Sequence, residues 1–198
     1  MSHISIDLRV LVFALVLAGL APAQDGPPPQ PDGISIGSLL AEAADLRELA
    51  SVPEHPFETR TFSHRDSPAT RKRGQRTEHV LASAKGPGAL VGVWMLAPAG
   101  NLRVYVDGSA IPAVEVEAKL ALNGEVTMFP SPTSGAVGKG ARLLYPVPFA
   151  KSVEVTCDAD PGRFSISCRR YLDPETTVVS FDPNAALMAY FMGREALA

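Results

Sequence analysis

The sequence has few cysteines, one long apolar run and almost no net charge. Its 198 residues include two cysteines, and 18 lysines and arginines stand against 21 aspartates and glutamates, for a formal net charge of −3. A charge so close to zero provides no global field that would attract nucleic acid or anionic lipid. Hydrophobic residues make up 46% and charged residues 20% of the chain, which excludes a disordered protein.

The long apolar run, Val10–Leu20, is too short to span a membrane. As a helix it would reach roughly 17 Å, against about 30 Å of bilayer hydrocarbon. Arg9 precedes the run and the small residues of Ala21–Ala23 follow it, which is the pattern of a secretory signal peptide. Residues 1–23 are therefore predicted to be a signal peptide, and the mature protein is expected to be soluble and secreted or periplasmic. An uncleaved anchor is the alternative.

Cys157 and Cys168 are predicted to be unpaired. Export permits a disulfide, but if Val153–Cys157 and Phe164–Cys168 form a hairpin, the two thiols lie at opposite ends of it. Four residues of strand then separate them by roughly 13 Å, whereas a disulfide needs Cα atoms within about 7 Å. We expect no disulfide and two small, buried, apolar side chains.

Glycine and proline divide the chain into short segments. The 18 prolines and 16 glycines exceed an average share of about 12% for the two together, and so favour a turn-rich, β-rich fold. Residues 24–33 are predicted to be a Pro-rich disordered tail. A helix is predicted over Leu39–Leu49, with Ser38 as its cap and Pro53 beyond its end. Residues 53–77 are expected to be irregular and polar.

A series of short strands is predicted between residues 78 and 181. Leu102, Val104 and Val106, for example, alternate with polar residues, as in a half-buried strand. Because no long helices separate these segments, the pattern favours an antiparallel sandwich or barrel over a βαβ fold. The predicted strands are Glu78–Ala84, Ala89–Ala97, Leu102–Val106, Val114–Glu117, Glu125–Phe129, Leu143–Phe149, Ser152–Cys157, Arg163–Tyr171 and Thr177–Phe181.

No complete metal, phosphate or nucleophile motif is present. His55, His64 and His79 lack the spacing of metal ligands, and no Gly-x-Ser-x-Gly elbow occurs. The glycine-rich stretch Gly135–Gly140 lacks the Ser or Thr that follows the lysine of a phosphate loop. Asp158–Gly162 lacks the closing glutamate of a calcium loop, and a hairpin turn explains it. Neither a metal nor a cofactor is predicted.

Two groups of charged residues have alternative explanations. Glu115 and Glu117 lie about 7 Å apart on one strand face, within the range of a glycosidase carboxylate pair, but a solvent-facing strand gives the same pattern. A run of basic residues could bind nucleic acid or heparin, but Phe62 is the one nearby aromatic residue, so a solvated loop or an intersubunit patch is favoured. That run is Arg65, Arg71, Lys72, Arg73 and Arg76.

Three segments, taken in order, resemble a known family. Residues 37–53 with 61–68, residues 85–116 and residues 143–171 together are similar to the first half of glycoside hydrolase family 172, formerly domain of unknown function 2961. The strongest matches are a Gly-Pro-Gly turn before the strand with Trp94, the strand end Val104–Gly108, and Tyr145–Phe149 with Lys151.

The resemblance implies a jelly-roll β-sandwich over residues 34–182, followed by an apolar segment, 183–198, that could be helical. It also implies tandem jelly rolls assembled as trimers or larger oligomers. Family members act on fructofuranosides or arabinofuranosides with retention, through two glutamates of the second half in a Gly-Glu-Gly-Asp-like context. The sequence contains no such string, so we expect no catalytic residue here and no activity from this chain alone.

The resemblance also suggests a substrate-binding loop. The family's Ser-Ser-Tyr-Asp-Arg-like loop matches the stretch with His64, Arg65 and Asp66, although the Asp-Arg order is not kept. We therefore expect these three residues to bind carbohydrate. The alternative is a stand-alone exported β-sandwich that binds carbohydrate or assembles with itself. A third hypothesis is a small catalytic domain that uses Glu115 and Glu117.

Overall fold

The computed structural model describes residues 33–45, 51–66 and 69–187, all of which belong to one unit spanning residues 31–198. The predicted signal peptide, nearly all of the Pro-rich tail and residues 188–198 lie outside the described residues. Within the described ranges, no helix is both long enough and apolar enough to cross a membrane.

The elements alternate short strands with turns, as the glycine and proline content predicts. In chain order they are α1 (Ile36–Ala44), β1 (Phe57–Ser63), β2 (Ala69–Arg73), β3 (Arg76–Lys85), β4 (Gly88–Met95), β5 (Asn101–Val106), β6 (Val114–Glu117), α2 (Ala118–Asn123), β7 (Ser134–Val137), β8 (Gly140–Leu143), β9 (Val147–Phe149), β10 (Ser152–Cys157) and β11 (Phe164–Tyr171). A 3₁₀ turn, His64–Asp66, follows β1. Residues 183–187 are helical.

Two antiparallel sheets face each other. The six-stranded sheet has the order β1-β11-β4-β8-β7, with β9 also paired to β4, and the five-stranded sheet has the order β2-β3-β10-β5-β6. The predicted all-β sandwich is confirmed. Alternate residues of the central strands enter the core: Val153, Val155 and Cys157 of β10, for example, are all buried. Fully burying a side chain of this size stabilises the fold by about 1.5–3 kcal/mol.

Helix α1 packs against the outer face of the six-stranded sheet. Ser35 and Ser38 form a capping box at its start, in which each side chain bonds the other residue's backbone N–H. Leu39 is buried in a second apolar cluster with Ala89 and Tyr171. The predicted helix therefore exists but begins at Ile36, because Ser35 rather than Ser38 is the N-cap. Residues 46–49 of that prediction lie outside the described residues.

Several local predictions are wrong. Part of the stretch expected to be irregular, residues 53–77, forms β1 and β2. Glu125–Phe129 is not a strand; it follows α2 as a turn. The predicted hairpin of β10 with β11 does not form, because β10 pairs with β3 and β5 whereas β11 pairs with β1 and β4. Both cysteines are free and buried.

Candidate functional site

The three predicted substrate-binding residues lie together in the 3₁₀ turn that follows β1. His64, Arg65 and Asp66 are all exposed. The Asp66 carboxylate accepts hydrogen bonds from the Ser63 backbone N–H at 2.6 Å and from the Ser63 hydroxyl at 3.2 Å, and the Arg65 N–H donates to the Ser63 hydroxyl. Asp66 therefore closes the turn, while the His64 and Arg65 side chains project from it.

A larger polar constellation covers the outer face of the five-stranded sheet. Its side chains alternate along the strands with core residues: Arg103 lies between Leu102 and Val104, which are both buried in the core. We call this constellation the arginine–glutamate network. It comprises Arg71, Arg73, Arg76, Glu78, Arg103, Tyr105, Glu115, Glu154, Thr156 and Asp158.

Glu78 lies at the centre of the network and is fully buried. Its carboxylate accepts hydrogen bonds from the Tyr105 hydroxyl, 3.1 Å from each oxygen, and from the Thr156 hydroxyl at 2.9 Å. Three guanidinium groups surround it at 3.6–3.7 Å, those of Arg73, Arg76 and Arg103. A carboxylate without water needs such partners, because an unpaired buried charge is strongly destabilising.

Carboxylates at the rim of the network bind the outer sides of the same arginines. Glu154 contacts Arg71 and Arg73, each at 2.5 Å. Glu115 accepts from Arg103 at 2.8 Å and from Arg76 at 3.3 Å. Four arginines thus face four carboxylates, and the network is neutral as a whole.

Two groups of the network have shifted pKa values. Burial by itself lowers the pKa of Arg103, but hydrogen bonds to Glu115 and Asp158 outweigh it, so that the pKa is raised. Burial, together with the hydrogen bond to Glu78, raises the pKa of the Tyr105 hydroxyl. The Arg73 guanidinium lies 3.9 Å above the Tyr105 ring, a cation–π contact. Arg103 and Tyr105 therefore both stay protonated at neutral pH.

The network suits cohesion of the sheet better than acid–base chemistry. Glu115 bonds two arginines, so it is not available as half of a reactive pair with Glu117, which is exposed on the edge strand β6. Within the described ranges, no group of three or more His, Cys, Asp or Glu side chains could hold a metal ion.

Sequence reasoning found part of this network and missed its centre. It singled out Glu115 and the basic residues of β2 and β3. It assigned those basic residues to a loop. It did not single out Glu78, Arg103 or Tyr105, because their burial results from pairing of strands that are distant in sequence. Alternation of Arg103 and Tyr105 with valine and leucine was the one available signal.

Comparison with known proteins gives one family. A family model described as "GH172 first beta-sandwich domain" matches residues 54–187. These residues include both sheets, the 3₁₀ turn and the whole arginine–glutamate network. No curated protein matches the chain.

Proposed function

Because the chain belongs to the family of GH172 first β-sandwich domains, we propose that it is the non-catalytic first sandwich of an exported glycoside hydrolase that acts on furanosides. The match over residues 54–187 is the observation that carries this proposal. In this role the domain supplies a rigid scaffold and part of the substrate contact, and the reactive glutamates lie outside it.

The bonding of the described carboxylates supports the absence of activity. A retaining glycosidase needs two carboxyl groups about 5–5.5 Å apart, one as the nucleophile and one as the acid and base. Glu78, Glu115 and Glu154 are instead bonded to arginine, tyrosine or threonine side chains. These partners bind both carboxylate oxygens of Glu78 and Glu154 and one oxygen of Glu115.

The turn after β1 is the proposed point of substrate contact. Asp66 shapes the turn through its bonds to Ser63, which leaves the exposed His64 and Arg65 to face a ligand. The guanidinium offers five N–H donors and the imidazole offers a donor and an acceptor, a combination that suits sugar hydroxyls.

An activity assay tests the proposal. The purified chain is incubated with nitrophenyl arabinofuranosides and fructofuranosides, and no turnover above background is expected. If robust turnover occurs, the proposal of a non-catalytic domain is wrong, and the double variant E115Q/E117Q then shows whether those glutamates carry the activity. Glu125→Gln is the matched control, because Glu125 is also exposed and forms no ion pair with the described residues.

We also propose that the chain associates with itself, as the resemblance implies for the family. An exposed apolar residue supports this: Ile111 has 77% of its surface exposed at the tip of the β5–β6 hairpin. The Ser109 hydroxyl fixes this tip by bonding both the N–H and the carbonyl of Ile111. Light scattering is expected to give a trimer, and a monomer at all concentrations would contradict self-association.

A further inference from the structure

Part of the outer face of the six-stranded sheet is covered by α1, and part is not. The covered part includes Ala89 and Tyr171, which pack with Leu39 of the helix. At the edge of this part, Glu42 of α1 binds Arg169 of β11 at 2.6 Å. Beyond Arg169 the sheet continues toward the 3₁₀ turn with mostly small, polar residues.

Strand register places one polar row directly across this uncovered part. Ser63 of β1 pairs with Ser165 of β11, and Ser165 pairs with Trp94 of β4. Trp94 in turn pairs with Arg142 of β8. Directly opposed residues of antiparallel strands share a face, so these four side chains lie side by side. Ser63 is also the residue that holds the proposed substrate-contact turn.

A second row runs beside the first. Thr61 of β1 pairs with Ser167 of β11, and their hydroxyl oxygens are 3.4 Å apart. Ser167 pairs with Gly92 of β4. A Cβ at Gly92 would meet nothing closer than 3.6 Å, the nearest atom being a methyl of Leu144. A side chain at this position would therefore make only ordinary contacts, with Leu144 and Ser167, so packing does not require a glycine beside Trp94.

Trp94 is held in a fixed position beside Gly92. Its neighbours Val93 and Met95 are both buried in the core, so the indole faces outward. Two of its ring atoms lie 2.9 Å from where a Cβ of Gly140 would be, which means that the ring rests against the backbone of that glycine. The side chain is half-buried, and its N–H has no hydrogen-bond partner among the described residues.

From this geometry we propose a carbohydrate-binding site on the uncovered part of the six-stranded sheet. We call it the Trp94 surface, and it consists of Thr61, Gly92, Trp94, Arg142, Ser165 and Ser167. An indole offers an apolar face for the C–H groups of a sugar ring and an N–H for one of its hydroxyls. The three hydroxyl side chains can each donate and accept, and the arginine donates.

The charge of the Trp94 surface favours a neutral polyol over other ligands. Arg142 is the one charged residue among its six members, and the other polar side chains are hydroxyls and an indole N–H, which match the hydroxyl groups of a sugar. The class of sugar, a furanose oligosaccharide that runs from the Trp94 surface to His64 and Arg65, rests on the proposed function. The site itself rests on the strand register and on the outward-facing indole of Trp94.

The single tryptophan of the chain makes the test direct. The full chain is titrated with α-1,5-arabino-oligosaccharides and with fructo-oligosaccharides up to about 10 mM, while Trp94 fluorescence is followed. We expect a saturable change in emission. Calorimetric titration of Trp94→Ala is expected to give at least roughly tenfold weaker binding, as for a central aromatic contact.

Further variants keep the test valid if Trp94→Ala does not fold. Arg142→Ala and Ser167→Ala leave the indole in place, and each is expected to weaken binding about threefold, the effect of losing one hydrogen bond. Val52→Ala removes an exposed apolar residue that precedes β1 and lies outside the Trp94 surface, and it is expected to bind like the parent.

Each outcome decides the proposal. If no sugar changes the emission, or if the variants bind as tightly as the parent, the Trp94 surface is not a carbohydrate site. If emission changes with protein concentration and not with sugar, the surface is an interface between copies of this chain, and the proposal is wrong. If xylo- or cello-oligosaccharides bind with the same dependence on Trp94, the surface is supported and the furanose class of the proposed function is contradicted.

Discussion

The hydroxyl of Tyr105 lies 3.1 Å from both carboxylate oxygens of Glu78, in the outer polar layer of the five-stranded sheet. Tyr105 is on β5 and Glu78 is on β3, with β10 between them. Thr156 of β10 donates to the same carboxylate. One buried acid therefore connects three neighbouring strands through side chains, in addition to their backbone ladders.

We expect Glu78→Gln to destabilise the fold. The variant leaves the guanidinium groups of Arg73 and Arg103 facing a neutral amide, and each already has one buried N–H group without a hydrogen-bond partner. Breaking a buried ion pair costs about 3–5 kcal/mol. Urea unfolding measures the loss in the free energy of unfolding.

Glu117→Gln is the control for this variant. It changes an exposed glutamate on β6, the edge strand at the other side of the same sheet, and is expected to stay within about 0.5 kcal/mol of the parent. If Glu78→Gln is as stable as Glu117→Gln, the network does not contribute to cohesion of the sheet.

Asp107→Asn is expected to loosen the connection between β5 and the chain before β10. The Asp107 carboxylate accepts from the Lys151 N–H at 2.6 Å and from the Ser152 N–H at 3.1 Å, and it also accepts from the Ser180 hydroxyl. Its φ of 56° is in the left-handed region, which asparagine also tolerates, so the substitution tests the carboxylate and not the backbone. Losing such charge-assisted bonds costs about 1.5–3 kcal/mol.

The pH dependence of this loss has a defined sign. Burial opposes ionisation of Asp107, but the bonds from Ser180, Lys151 and Ser152 outweigh it and lower its pKa below 3.8. The contribution of the Asp107 carboxylate to the free energy of unfolding is therefore present above pH 3.8, and it is lost as the pH falls through the folded-state pKa. Parent and variant should converge in stability in acid. The control Glu175→Gln, at an exposed position, is expected to unfold within about 0.5 kcal/mol of the parent.

The local pattern of the sequence predicted most central strands, because period-two alternation requires only that one face be buried. This holds for β5, where Leu102, Val104 and Val106 are all in the core. The pattern failed for β1 and β2, whose residues are mostly exposed and carry no alternation. β1 is a strand because it pairs with β11, about a hundred residues later in the chain.

The candidate site was less accessible to sequence reasoning than the fold. The position of the 3₁₀ turn followed from a motif match, but the side-by-side placement of Ser63, Ser165 and Trp94 depends on the register of three strands. The predicted hairpin of β10 and β11 is wrong because the chain crosses from one sheet to the other between them. Alternation within two consecutive segments does not show which sheet each segment joins, so the sequence pattern cannot reveal such a crossing.

Burial of Cys168 should reduce stability at alkaline pH. Burial raises the pKa of this thiol from 9.0 to about 12, so its contribution is fully present below pH 9.0 and is lost as the pH rises toward about 12. Between these two pH values the folded state binds up to one proton more than the unfolded state. The free energy of unfolding therefore falls by up to about 1.4 kcal/mol per pH unit. Cys168→Ala is expected to show a shallower decline in unfolding free energy above pH 9 than the parent. Equal slopes would show that the thiol is not protonated in the folded protein.

Gly140 and Gly92 form a matched pair for testing the packing beneath Trp94. A Cβ at Gly140 would lie 2.6 Å from the Met95 carbonyl oxygen and 2.9 Å from the indole, whereas one at Gly92 would meet only ordinary contacts at 3.6 Å and beyond. Gly140→Ala must therefore displace Trp94 or the β4 backbone, and we expect it to cost about 1–3 kcal/mol, as overpacking does.

Gly92→Ala is expected to unfold within about 0.5 kcal/mol of the parent and to keep the emission spectrum of Trp94. Gly140→Ala is expected to shift that spectrum, because the ring can no longer rest on the glycine backbone. Thermal unfolding and fluorescence of the two variants check both statements. An unchanged spectrum and stability in Gly140→Ala would mean that Trp94 does not lie against Gly140, and a rigid indole could then no longer be assumed for the Trp94 surface.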